Sequence, residues 1–531
     1  MATASIGWVA RHRAALYPVL NLGVLVAALG GSIVHDAEFG LVVYVTVLFA
    51  ICSTPLLLLR SFNDRYALLG IFMALYFLQF GALDLQHLLL GVEVPVLRTS
   101  FLTPAEVAIL LGGALMLGGY LGGVELGRRG AVDRNTVRPP AEWSAQTMLL
   151  LGLIVWLVGT AAVLYFQVFA APEKTAHSIN NAFATMGPVL TFIVMLGNMM
   201  QPLGVLILAY AYAKYRGAFW LILILTVVIV DVGVGFVIDV KRTALMGSAL
   251  VILTRTLVDN RLPKAWTVCS VVFIILAFPI FQAYRSEITG NRGLDRLQAL
   301  QEIGKVLEIT LASRDKVAEG QPGAERAQTF LERSSVKDVL ETLFAHVGSG
   351  DAPLLNGRSL VAIPMAFVPR LLAPDKEDLS VGSLFPKVIL KSDSEVYISI
   401  SHLGELYWNF GWSGVLLGMT LAGALLGFTG GKFSLEQGKS LTRILVLLIS
   451  AQSLCIGFEG TIPVAYVLWL RSMAAIGLLH LLFARRGVVS IAPSPVSVNE
   501  GGPPVELPTP APRGVLVPAA AALPRFPNLM R

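Results

Sequence analysis

Charge is what this sequence has least of. Of its 531 residues 14% are Asp, Glu, Lys or Arg and 55% are hydrophobic, whereas soluble domains carry about 25% charged residues. A water-soluble fold is excluded, and the chain reads as a polytopic membrane protein. Cysteine is equally scarce. Cys52, Cys269 and Cys455 lie in apolar stretches without paired or metal-ligand spacing, so they read as small lipid- or core-facing residues. No Asp-x-Asp pair or histidine cluster suggests a divalent ion, and no internal repeat is present. Arg11 and Arg13 precede an apolar run, but no small-residue cleavage site follows, so no cleavable signal peptide is expected. The net charge of +6 sits mainly in short loops, where it reports topology; a nucleic-acid partner is not expected.

What is present is a succession of apolar runs near the 20 or so residues that a membrane-crossing helix needs. Twelve spans are expected: 14–34, 38–59, 67–90, 104–125, 144–170, 188–213, 218–239, 243–257, 265–283, 406–429, 443–460 and 462–484. Arg11 and Arg13, Arg60 and Arg65, Arg128 to Arg138, Lys214 and Arg216, Arg255 to Lys264, Lys432 to Arg443, and Arg485 and Arg486 all fall on one side. By the positive-inside rule that side is the cytoplasm. The expected fold is an all-α membrane bundle with both termini cytoplasmic. Residues 1–283 hold spans one to nine, 284–405 form one large helical extracytoplasmic loop, and 406–486 hold spans ten to twelve. Helical spacing of apolar residues in LDRLQALQEIGKVLEITL and RAQTFLERSSVKDVLETLFAHVG predicts two amphipathic helices within the loop. A break at Gly350 to Pro353 follows them. Residues 487–531, rich in Pro, Ala and Val without periodicity, read as a disordered cytoplasmic tail.

Ionisable side chains inside spans are costly and usually face an internal cavity. Span seven contains Asp231, read as a structural hydrogen-bonding group, and ends in IDVKRT. That places Lys241 and Arg242 at the outer end, as an electropositive site for an anionic headgroup, as snorkelling cations, or with Arg242 paired to Asp239 on one helix face. Arg285, just after span nine, is either part of that site or an interfacial anchor. Arg471 lies within the last span, with Glu459 one option for a partner; Asp84 and His87 near the outer end of span three are a similar case.

Several polar groups converge after the loop. If SHLGELYWNFG is helical, His402, Glu405 and Asn409 share a face, while Trp408 and Trp412 share another that suits an interfacial aromatic belt. A carboxylate beside a histidine and an apolar wall can serve as a proton acceptor. Equally, Glu405 can cap or salt-bridge the loop, with Arg370 as a partner.

Arg333 in RSS, Gly357 in GRSL, FVPRLLAPDK from Phe367 to Lys376, Gly382 and GELYWNFGWSGVLLG from Gly404 resemble the extracytoplasmic loop and following helix of bacterial O-antigen polymerases and related polymerases of lipid-linked oligosaccharides. The Lys241-Arg242-Thr243 run resembles the basic position of the same family. Leu372-Ala373 stand where an aromatic is common, and Glu377 where proline often follows the lysine. The resemblance implies a metal-independent inverting glycosyltransferase without cofactor in a bacterial inner membrane, its site facing the periplasm or exterior. Its donor would be a glycan on undecaprenyl diphosphate, its acceptor a lipid-linked repeat unit, its partners a chain-length regulator and a flippase. Arg242, Arg285 and Arg370, supported by Lys376, would stabilise the diphosphate leaving group. Lys241, Arg333 and Asn409 complete the implied substrate-binding set, and Glu405, or else His402, would be the base. An O-antigen ligase shares this donor and layout. A flippase or other transporter would more naturally show internal repeats and no large one-sided insertion.

Overall fold

Two glycine stripes decide how the centre of the bundle packs. The computed structural model describes residues 2–35, 38–90, 101–129, 143–166, 188–237, 241–273, 335–368, 381–392 and 397–483, and among these every regular element is helical. In order these are α1 (Ala2–His35), α2 (Phe39–Ser53), α3 (Ala67–Phe80), α4 (Ala82–Leu90), α5 (Pro104–Arg129), α6 (Ala145–Leu164), α7 (Pro188–Tyr215) and α8 (Ala218–Val237). There follow α9 (Lys241–Asp259), α10 (Lys264–Phe273), α11 (Lys337–Gly348), α12 (Val381–Val388), α13 (Ser401–Lys432), α14 (Leu441–Ser450) and α15 (Ile462–Phe483). Short helical turns link some of them. The stripes are Gly119, Gly123 and Gly127 on α5 and Gly423, Gly427 and Gly431 on α13. A Cβ on Gly123 would lie 2.1 Å from Ala424 O, and one on Gly427 would lie 2.1 Å from Tyr120 O. Lipid tails are as apolar as leucine, so such close backbone approach, with its dispersion energy, takes over much of the role that hydrophobic burial has in water.

The pairing 119 with 420, 123 with 424 and 127 with 428 makes α5 and α13 parallel. Two even-numbered spans of an alternating bundle run the same way, as the sequence reading has them. α6 and α7 are antiparallel, with Gly159 against Gln201 and Gly204 against Trp156. α14 and α15 are antiparallel too, joined by Thr442 to His480 (2.8 Å) and by Trp469 Nε1 donating to Ser450 Oγ (2.9 Å).

Eight described helices are long and apolar enough to cross a membrane, nine if α3 and α4, bent by 48°, make one span. The other three of the twelve expected positions fall on α7, α9 and α10, which do not add to that number among the described residues. A multi-pass helical membrane protein is the result. Of the second amphipathic pattern of the loop, Lys337–Gly348 is helical as α11, and residues 326–334 lie outside the described residues. The first lies outside the described residues. The chain divides at Gly487, and the segment from Val488 also lies outside them.

α11 is fastened to the bundle by a buried cation that the sequence reading missed. Lys337 Nζ lies 2.7 Å from Asp84 Oδ2 and 2.8 Å from Glu106 Oε1, with Glu341 Oε1 at 3.8 Å. It also sits 4.5 Å from the Tyr44 ring centroid. Glu106 is held in turn by a capping box at the start of α5: its N–H donates to Thr103 Oγ1 (3.2 Å), and its Oε2 accepts from Thr103 N–H (3.0 Å). Burial works against the Lys337 charge, but Asp84 and Glu106 outweigh it and raise its pKa. Burial raises the pKa of Glu341, the more exposed carboxyl of the cluster. A second small core, with Leu343 of α11, Phe385 of α12 and Ile400 and Trp408 at the start of α13, gathers the return of the loop.

Candidate functional site

The site begins with a broken helix. Gly411, inside α13, has φ 60° and ψ −145°, a region of backbone space essentially restricted to glycine. Residues 401–410 therefore fold back as a limb beside 412–432: Leu406 borders Gly418, and Leu403 and Met419 both border Gly112. A Cβ on Gly414 would lie 2.1 Å from Leu406 O, so the second glycine of NFGWSG makes room for the fold-back. Expected span ten thus starts at Trp412 rather than Leu406, and the boundary drawn between 405 and 406 cuts the limb. Trp408 and Trp412 stand on opposite sides of the break and share no face. Trp408 is fully buried against Phe385, its Nε1 donating to Pro353 O (3.1 Å), so it is core rather than aromatic belt.

A helix end leaves carbonyls unpaired, and the preceding loop takes them up here. Leu355 N–H donates to Trp408 O (2.9 Å) and Asn356 N–H to Asn409 O (3.0 Å). The chain then turns at Gly357, whose φ is 82°, under the ring of Phe410. Asn409 Nδ2 donates to Ser359 Oγ (2.7 Å) and to Glu405 O (2.8 Å). The GRSL segment is seated on the limb through a residue, Ser359, that sequence reasoning did not single out.

His402, Glu405 and Asn409 do share one face, and all three are buried. Glu405 Oε2 accepts the N–H of Ile462 (2.7 Å) in the first turn of α15, where unpaired N–H groups and the positive end of the helix dipole favour an anion. Glu405 thus caps the last helix; Arg370, the loop partner considered for it, lies outside the described residues. His402 packs against the rings of Phe458 (4.9 Å) and Tyr466 (5.8 Å). Among the described residues, Glu405 Oε1, His402 Nε2 and Asn409 Oδ1 are buried without a hydrogen-bond partner of good geometry, the Ser359 hydroxyl standing beside the Glu405 carboxyl. Each such atom costs about 1–3 kcal/mol, and three on one face make a functional site a better explanation than packing alone.

Arg471 comes to the same loop from α15. Its Nη2 donates to Ala366 O (2.6 Å), and its guanidinium lies 5.7 Å from the Phe367 ring centroid, within cation–π range. These contacts are the described surroundings of Arg471, and Glu459 O accepts from Ser399 Oγ. Arg471 also lines a cavity of about 460 Å³ with Asp231, Gln201, Gln452, Met246 and Gly247. Asp231 Oδ1 accepts from Trp156 Nε1 (2.9 Å) and Gln201 Nε2 (3.0 Å), the structural bonding expected of it.

Met246 and Gly247 place the cavity about one turn along α9 from Arg242. The side chains of Lys241 and Arg242 lie outside the described part, as do Arg285, Arg333, Arg370 and Lys376 entirely. What is brought together is the limb with His402, Glu405 and Asn409, the loop 354–368 that leads towards Arg370, and Arg471. Gln452 had a signal in sequence, as a polar residue in the apolar run LLISAQSLCIGF. Lys337 had none, since its neighbours read as a solvated helix face. Among the described residues no group of three His, Cys, Asp or Glu side chains is placed to hold a metal ion. Set against protein-family models, curated proteins and solved structures, the chain matches none of them.

Proposed function

We propose that the protein is a membrane glycosyltransferase that polymerises lipid-linked oligosaccharide repeat units, moving a growing glycan from undecaprenyl diphosphate to the next lipid-linked unit with inversion. One observation carries this reading. The GRSL segment and GELYWNFG, two of the pieces that resemble the polymerase family, lie some fifty residues apart in sequence but pack on each other through Ser359 on Asn409 and Gly357 under Phe410, with Leu355 and Asn356 just ahead of GRSL bonded to Trp408 and Asn409. Arg471 then ties Ala366, next to the FVPRLLAPDK segment, to the last span.

Breaking the bond to a diphosphate leaves negative charge on the leaving group. Guanidinium groups fixed in a water-poor place stabilise it, bidentately where geometry allows. Arg370, two residues beyond Val368, and Arg242, on the helix that lines the cavity, are assigned that role, with Arg285 and Lys376 in support. Lys241, Arg333 and Asn409 complete the substrate contacts. The attacking sugar hydroxyl loses its proton to Glu405 through Oε1, the oxygen not committed to Ile462, or to His402 beside it. The site faces the periplasm or cell exterior of an inner-membrane protein. In cells carrying Arg370→Ala or Arg242→Ala, the protein should remain inserted while single lipid-linked repeat units accumulate and long polymer disappears. Unchanged polymer length with both variants refutes the assignment.

A further inference from the structure

The cavity beside Arg471 holds more polar chemistry than a packing defect between helices. Its walls are chiefly apolar, from α6, α7, α8, α9 and α15, and Val464, 64% exposed, marks the side where it meets the outer surface of the bundle. Three groups interrupt that lining. Arg471 stands on one wall. Asp231 stands on another, its Oδ1 occupied by Trp156 and Gln201 and its Oδ2 beside the bare backbone of Gly247. Gln452, 6% exposed, has an Oε1 with no hydrogen-bond partner among the described residues. A volume of about 460 Å³ lies within the range of small-molecule sites, about 300–1,000 Å³.

We propose that this cavity binds the headgroup of an aminophospholipid, its phosphate towards Arg471 and its ammonium towards Asp231 Oδ2 and Gln452 Oε1, with the acyl chains leaving past Val464 into the bilayer. Opposite charges on the two walls select a zwitterion. The Asp231 carboxylate and the unpaired Gln452 Oε1, both acceptors, suit a head that carries N–H donors, which ethanolamine has and choline lacks. A polyprenyl diphosphate brings only negative charge and would set it against Asp231. The cavity adjoins the site assigned to the glycan carrier, one turn along α9 from Arg242, but its paired charges suit a different ligand.

The test is native mass spectrometry of the full-length protein, delipidated in detergent and titrated with phosphatidylethanolamine, phosphatidylcholine, phosphatidylglycerol and polyprenyl diphosphate. Phosphatidylethanolamine should bind one per chain, roughly tenfold tighter than either other phospholipid, as expected for a charge-assisted hydrogen bond. Asp231→Asn keeps an oxygen for Trp156 and Gln201 and should bring the ethanolamine-to-choline ratio near one; Arg471→Gln should weaken both lipids. Gln452→Leu removes a buried unpaired acceptor, so it should leave thermal stability unchanged or higher while lowering the ethanolamine preference severalfold. Equal binding of ethanolamine and choline lipids overturns the proposal, as does a preference unaffected by Asp231→Asn and Gln452→Leu. One-for-one displacement by polyprenyl diphosphate overturns it as well. Polymer formation is scored separately, so loss of one function leaves the other legible.

Discussion

On the proposed reading Glu405 divides two tasks between its two oxygens, and two substitutions separate them. Glu405→Gln keeps the volume and a carbonyl oxygen that can accept the Ile462 N–H, but removes the charge. Glu405→Ala removes both. With no solvent exposure at Glu405, alanine removes the bond that caps α15 and leaves the buried Ile462 N–H unpaired, about 1–3 kcal/mol. The expected loss is roughly 1–3 kcal/mol for alanine and under about 1 kcal/mol for glutamine. A positioned general base contributes about 10²- to 10⁴-fold in rate. Glu405→Gln should therefore unfold close to the wild-type temperature in detergent while polymerising at least about 100-fold more slowly in proteoliposomes; Glu405→Ala should fail both tests. Polymerisation by Glu405→Gln within about tenfold of wild type would leave Glu405 as a cap alone. Wild-type stability in Glu405→Ala would refute the cap.

Lys337→Met strands Asp84 and Glu106 in the core and should destabilise the protein by about 3–5 kcal/mol, with partial rescue by adding Asp84→Asn and Glu106→Gln; thermal unfolding of the set decides it. Because the folded pKa of Lys337 is raised, its contribution is complete below the free-lysine value of about 10.4 and is lost only as pH rises through the higher folded value. Glu341 follows the same sign in a lower window: with its folded pKa raised by burial, the native state holds more protons, so stability falls as pH rises from near 4.5 through the folded value. Glu341→Gln should flatten that slope and gain stability at neutral pH in a series of unfolding curves. Gly123→Leu or Gly427→Leu, forced against a backbone carbonyl, should separate α5 from α13 and abolish folded yield in gel filtration, whereas Gly122→Leu, which meets nothing within 4 Å, should be tolerated.

Much of the bundle was legible because hydropathy and loop cations are local signals. The spans at α2, α5, α6, α8 and α15 lie within a few residues of expectation, and the parallel run of α5 and α13 agrees with their even numbering. The glycine repeats of LGGYLGGVELG and GMTLAGALLGFTGG were readable as small-residue packing faces and passed unread. The helical face of His402, Glu405 and Asn409 followed from spacing alone. Its direction did not, because one glycine at φ 60° turns the limb back, and hydropathy is blind to a reversal that stays within apolar surroundings. Glu405's partner is a backbone N–H of a helix 57 residues on, and a backbone group leaves no mark in a sequence. Lys337 looked like surface because a buried lysine is recognised only by its carboxylates, which here come from α4 and α5.

The break at Gly411 does more than redirect a helix. By freeing the carbonyls of Trp408 and Asn409 it provides the anchor for Leu355 and Asn356. The loop from that anchor crosses to α15, where Arg471 holds Ala366, and α15 returns to the limb because Ile462 donates to Glu405. Limb, loop and last span thus form a closed circuit of hydrogen bonds. In such a circuit no member can move without loosening the next. A substrate that shifts α15 or lifts the loop would act directly on the Glu405 cap, whose strength depends on where Ile462 lies. Glycine at 411 is what makes this circuit possible: an uninterrupted helix would carry Glu405 away from α15 and leave the loop carbonyl-bonded to nothing.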